Sequence, residues 1–147
     1  MRDSYTWTFY QVVKDVQAKT GLELPQRMET HITLLLAQHM DKVEFLPKKS
    51  FIETYLELQH TDLTYKSGIE AVKKLADQCL FLTGVFPDYN ERYGFSVDYF
   101  STIGQECYSI ANSLSNDELF SSLSKNFTFA RDFISVLCNK KNSHQFF

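Results

Sequence analysis

The sequence predicts an all-α protein, a single-domain bundle of about six helices that are mostly antiparallel neighbours, covering residues 1–147. Three observations lead there. Only five Gly and three Pro occur; they fall between periodic segments, whereas a sheet of this size needs many more turns. Apolar residues recur at helical spacing, and no segment alternates with period two for long enough to argue a strand. Three Ser-x-x-Glu capping boxes, Ser50–Glu53, Ser67–Glu70 and Ser115–Glu118, each precede an apolar-periodic stretch. In such a box the Ser oxygen accepts from the backbone amide three residues on, and the Glu reaches back to the Ser amide.

The first helix is expected over Ser4–Lys19, with Gly21 as its stop. Tyr5, Phe9, Val12, Val13 and Val16 share one face, and Trp7 and Tyr10 fall outside it. The second opens at Pro25, a favoured first position, and runs to Lys42 with the stripe Met28, Ile32, Leu35, Leu36, His39 and Val43. A short third helix covers Phe51–His60, where Phe51, Tyr55 and Leu58 share a side. The fourth, Gly68–Val85, has a broad stripe from Ile69 to Thr83 and carries Phe81 on its back. Burial on two sides makes it the expected central helix.

A long connection, Phe86–Ser96, leads into the fifth helix, Val97–Leu114, whose stripe is Phe100, Ile103, Cys107, Ile110 and Leu114, with Gly104 and Tyr108 at its edge. The sixth is expected to run unbroken over Asn116–Asn139. Its main stripe includes Leu119, Leu123, Phe127, Ala130, Phe133, Ile134 and Leu137, and Phe129 and Val136 form a second, narrower face. The tail from about Lys140 to Phe147 is polar apart from its two terminal Phe, and is expected to be mobile.

Charge and composition narrow the function classes. Fifteen Lys and Arg against eighteen Asp and Glu give a net charge of −3, the wrong sign for a protein that works by neutralising phosphates. The basic doublets Lys48-Lys49, Lys73-Lys74 and Lys140-Lys141 are scattered, and no nucleic-acid partner is expected. The longest apolar runs, Leu34–Ala37 and Cys79–Leu82, are far short of a membrane span, and the N-terminus lacks the pattern of a signal peptide. Cys79, Cys107 and Cys138 are odd in number and widely spaced, which argues against a disulfide framework and for a reducing, cytoplasmic compartment.

Four groups of residues bear on chemistry. Glu57-Leu58-Gln59-His60 is a single Glu-x-x-His. Ferritin-like di-metal bundles use two such motifs plus further Glu residues; here only Asp77, Gln105 and Glu106 are on offer from the fourth and fifth helices. A metal-dependent enzyme or sensor with a ferritin-like helical core site is therefore the alternative reading, and no metal or other cofactor is assigned. His39 lies on an apolar stripe and reads as a core histidine, and His31 and His144 carry less signal still. Cys79 and Cys107 sit on core stripes without a basic neighbour, so neither reads as a reactive thiolate. No catalytic residue is assigned.

The connection after the fourth helix is the fourth group. It combines aromatics with Arg, the residue types enriched in binding hot spots, and loops of this length in small helical domains are often functional. Phe86, Tyr89, Arg92, Tyr93 and Tyr99 are the expected contact residues. Core closure by an aromatic lid is the competing structural explanation. Trp7 and Tyr10, with Phe129 and Val136, add a surplus of apolar surface that points to a homodimer.

The stretch Leu80-Phe81-Leu82-Thr83-Gly84-Val85-Phe86-Pro87, followed by Val97-Asp98-Tyr99-Phe100 and Ile103-Gly104, resembles a set of uncharacterised bacterial helical proteins. The likeness covers residues 75–111. It implies a bacterial origin and an all-helical fold, with Gly84 and Gly104 permitting close approach of helices, and it brings no activity with it. The expected function is that of a non-enzymatic module binding a protein or a small apolar ligand.

Overall fold

A computed structural model describes residues 2–40, 51–59, 66–86 and 97–140, and these form seven helices with no strand among them. The helices are α1 (Arg2–Thr20), α2 (Gln26–His39), α3 (Phe51–Gln59), α4 (Lys66–Val85), α5 (Val97–Ser115), α6 (Glu118–Lys125) and α7 (Phe127–Lys140). The all-α fold of packed neighbouring helices agrees with the sequence pattern. The expected mobile tail from about Lys140 lies almost wholly outside the described residues.

Local chemistry sets the helix ends. Gly21 takes φ +74° and its amide donates to Gln17 O at 2.9 Å, closing the last turn of α1. That left-handed conformation is cheap only for a residue without Cβ. Pro25 caps α2 instead of opening it, and its carbonyl accepts the first helical bond, from Glu29 N at 2.9 Å. Of the three capping boxes, Ser50 lies outside the described residues and Ser67 lies within α4, which begins at Lys66.

The third box is shifted. Ser115 ends α5, its hydroxyl donating back to Ala111 O at 2.6 Å. The cap of α6 is Asp117, whose Oδ1 accepts from Leu119 N at 3.0 Å. Asn116 turns the chain between the two helices with φ +55°, a conformation Asn tolerates better than most residues.

The expected sixth helix is two. α6 and α7 part at Asn126, where φ −112° and ψ 26° leave the helical region. The Asn126 side chain donates to Ser122 O at 3.0 Å, the same carbonyl that its backbone amide reaches at 2.9 Å. Asn competes in this way with the regular backbone ladder, which breaks the long helix; α6 packs mainly on α5, and α7 mainly on α4.

The core lies around α4, which packs most extensively on α5 and also against α2, α3 and α7. From Cys79 to Gly84 every α4 residue is buried, as the apolar back of its stripe predicted. Phe9, Val13 and Val16 of α1, Met28, Ile32 and Leu36 of α2, and Phe127, Phe133, Ile134 and Leu137 of α7 complete one contiguous cluster. Each such side chain contributes about 1.5–3 kcal/mol on leaving water. Tyr108, expected at a stripe edge, is fully buried. Arg27 and Asp117 tie α2 to the cap of α6 through contacts at 2.8 and 3.3 Å.

Candidate functional site

The contact residues expected around the connection after α4 divide into three. Tyr89, Arg92 and Tyr93 lie outside the described residues. Phe86 is 41% exposed and meets Phe81 edge-on, with ring centroids 6.0 Å apart. Tyr99, half-buried, packs on the core with its ring edge-on to Phe100 at 5.1 Å. Phe86 follows the end of α4, and Tyr99 lies in the first turn of α5.

The metal alternative finds its carboxylates engaged elsewhere. Glu57 is exposed on α3 and His60 lies outside the described residues. Glu106 accepts a hydrogen bond from the Tyr55 hydroxyl at 3.0 Å. Asp77 lies 2.9 Å from His31 Nε2 and accepts from the Tyr108 hydroxyl at 2.5 Å. Among the described residues no group of three or more His, Cys, Asp or Glu is placed to hold a metal ion.

The His31–Asp77–Tyr108 cluster joins α2, α4 and α5, and sequence reasoning passed over His31. Its order resembles a relay, but Tyr108 is enclosed and burial pushes its hydroxyl well above the ordinary tyrosine value. Burial thus keeps the Tyr108 phenol neutral, and the cluster ties α2, α4 and α5 together. Burial acts on the three thiols in the same direction. Burial raises Cys79 well above the usual value and carries Cys107 and Cys138 to about 12.

No family model, no curated protein and no solved structure matches this chain. Its function has to be argued from its own surface.

A concave surface on the α1–α2 side has two halves that share Tyr10. The apolar half, about 380 Å³, is lined by Thr6, Trp7, Tyr10, Thr30, Thr33 and Leu34. Trp7 is 62% exposed and stacks on Tyr10 at 5.9 Å, and Leu34 is 38% exposed on the α2 side. Thr33 is buried, and its hydroxyl has no hydrogen-bond partner among the described residues. An orphaned buried hydroxyl is costly and uncommon in a finished core.

The polar half, about 460 Å³, lies between α1, the turn after it and α2, where Lys14, Gln17, Glu23, Gln26 and Glu29 contribute to its wall. Glu29 is only 5% exposed. Its Oε2 accepts from Gln17 Nε2 at 2.6 Å and pairs with Lys14 Nζ at 3.0 Å. Gln17 Oε1 accepts in turn from Leu24 N at 2.7 Å, so one side chain fixes both the carboxylate and the turn. The hydrogen bond to Glu29 is the leading reason that the Lys14 ammonium titrates above its ordinary value.

Sequence reasoning saw part of this site. Trp7 and Tyr10 stood out by falling off the α1 stripe. Glu29 did not, although it lies three residues before Ile32 and seven before Leu36, on the buried side of α2. That spacing is the signal that marks it. Phe129 and Val136, paired with Trp7 in the sequence reading as surplus surface, pack partly buried against this molecule's own core.

Proposed function

We propose that the protein is a non-enzymatic helical binding module that takes its ligand on the α1–α2 face. One observation carries the reading: Trp7 stands 62% exposed, stacked on Tyr10, beside a groove whose other wall is the exposed Leu34. An exposed Trp costs solvation unless something covers it, and aromatic shelves of this kind are where binding energy concentrates. The size of the groove falls within the usual range for ligand sites. The thiols raised by burial and the enclosed Tyr108 favour binding over chemistry, and three free cysteines suit a cytoplasmic protein.

The test uses Nile red, a neutral apolar dye, with light-scattering mass measured in parallel. Saturable dye fluorescence is expected for the wild-type chain, with loss in Trp7→Ser and Leu34→Ser while circular dichroism and mass stay unchanged. Undiminished dye binding in both variants would overturn the assignment of the face. A dimer present in the wild type and lost in Trp7→Ser would replace it with self-association.

A further inference from the structure

The apolar half of the α1–α2 face carries hydroxyls but no charge. Its wall is Thr6, Trp7 and Tyr10 from α1 and Thr30, Thr33 and Leu34 from α2. A charged group would lose hydration there without gaining a counter-charge, so the wall selects a neutral ligand. At about 380 Å³ the groove is near the lower end of the range for ligand sites, which suits a small molecule. Lys14 Nζ already stands over the Tyr10 ring, 5.5 Å from its centroid, so the exposed indole of Trp7 is the open platform. Flat rings stack well on such a plane.

Thr33 supplies the polar selection. The residue is 3% exposed, and its hydroxyl has no hydrogen-bond partner among the described residues. A helical Thr commonly gives its proton to the carbonyl four residues back, as Thr30 does to Gln26 O at 3.1 Å. Thr33 does not, so no bond has to break for it to turn about χ1 toward the groove it helps to line. A ligand acceptor there removes the cost of an orphaned donor, which an apolar isostere cannot do. Thr30 lies one turn earlier on the same face, with roughly 5–6 Å between Cβ atoms at that spacing. Its proton is spent on Gln26 O, which leaves its oxygen to accept. One ligand hydroxyl seated between the two can accept from Thr33 and donate to Thr30.

We propose that the groove binds a small neutral phenol, its ring against Trp7 and Leu34 and its hydroxyl between Thr33 and Thr30. This rests on the reading of the α1–α2 face as the ligand site and adds the ligand class. The probes are p-cresol, its isostere p-xylene, in which a methyl replaces the hydroxyl, and 4-methylanisole, whose oxygen accepts but cannot donate. Each is titrated against bound Nile red, and midpoints are corrected for the dye's own affinity for each variant.

Thr33→Val keeps the shape and removes the hydroxyl. It is expected to raise the p-cresol and 4-methylanisole midpoints about fivefold, as the loss of one hydrogen bond does, and to leave p-xylene unchanged. It should also raise the thermal midpoint of the chain without ligand, because a buried orphan is gone. Thr33→Ser should retain p-cresol binding. Thr30→Val, at an exposed position, should raise the p-cresol midpoint about twofold and leave 4-methylanisole unchanged. Equal responses of p-cresol and p-xylene to Thr33→Val would overturn the phenol assignment while Nile red still marks the groove. A p-cresol midpoint indifferent to Thr30→Val, or Nile red displaced by none of the three, would overturn it as well. Loss of saturable Nile red binding by the wild-type chain would remove the site itself.

Discussion

The Tyr108 hydroxyl donates to Asp77 Oδ1 at 2.5 Å across the α4–α5 interface, and His31 Nε2 of α2 meets the same oxygen at 2.9 Å. One carboxylate oxygen therefore holds three helices. The Tyr108 ring packs among Phe120 and Phe127, with centroids 6.1 and 6.0 Å away. Apolar packing and one charge-assisted hydrogen bond act on the same side chain.

Tyr108→Phe separates the two contributions, since the ring stays and the hydroxyl goes. A hydrogen bond to a charged group is worth about 1.5–3 kcal/mol, and a loss of that size is expected in urea unfolding. Nile red binding should be unaffected, with its midpoint unchanged. A stability change under about 0.5 kcal/mol would show the phenol to be held by packing alone.

Asp117 serves twice, capping α6 through Leu119 N and pairing with Arg27. Replacing it with Ala should cost about 1 kcal/mol from the cap, and Asp117→Asn less, because an amide oxygen still caps. The carboxyl is held below the ordinary aspartate value, first by the Arg27 hydrogen bond and then by the Leu119 amide. A carboxylate lowered on folding stabilises the chain fully above its unfolded value, about pH 4, and loses that contribution as pH falls through the lowered folded value. The stability gap between wild type and Asp117→Asn should thus be constant near neutrality and close on acidification below about pH 4. A gap that widens there would contradict the sign.

Periodicity revealed most of the fold because burial on a helix is a stripe, and stripes survive in one dimension. The central place of α4 was legible from Phe81 lying on the back of the stripe from Ile69 to Thr83. The break at Asn126 was not. The apolar spacing from Leu119 to Leu137 continues across it, and only the competition of one amide side chain for Ser122 O interrupts the ladder. The cap at Asp117 was missed for a related reason: Ser115 offered a better local match, yet it spends its hydroxyl on Ala111 O. The polar half of the site was hidden because partners such as Lys14 and Glu29, on different helices, meet only after α1 and α2 pack.

Gly104 and Gly84 set the distances between the central helices. A Cβ on Gly104 would lie 2.5 Å from Phe127 Cε2 and 3.0 Å from Cys79 Cβ; one on Gly84 would lie 2.8 Å from Ile134 Cβ. Ile134 Cβ is rooted in the backbone, so relief there requires α4 and α7 to part. Alanine normally gains about 1 kcal/mol over glycine inside a helix, but overpacking costs about 1–3 kcal/mol. Both Gly84→Ala and Gly104→Ala are expected to lower the midpoint of thermal unfolding. A rise in either would mean that the neighbouring helix yields freely.

The three thiols report on opening of the core. Burial is the leading cause of the raised values at Cys79, Cys107 and Cys138, and Cys107 and Cys138 stand at about 12. At pH 8 the thiolate fraction of the latter two is then about one in ten thousand, where a free cysteine is roughly a quarter ionised. A disulfide reagent at that pH should modify the native chain at a rate set by the population of the open form, and denaturant should release all three groups together. Tyr108→Phe should speed the reaction by the same factor by which it raises the unfolded population. Rapid modification of native Cys107 at the rate of a free thiol would show that α4 and α5 do not seal the interface that Tyr108 and Asp77 span.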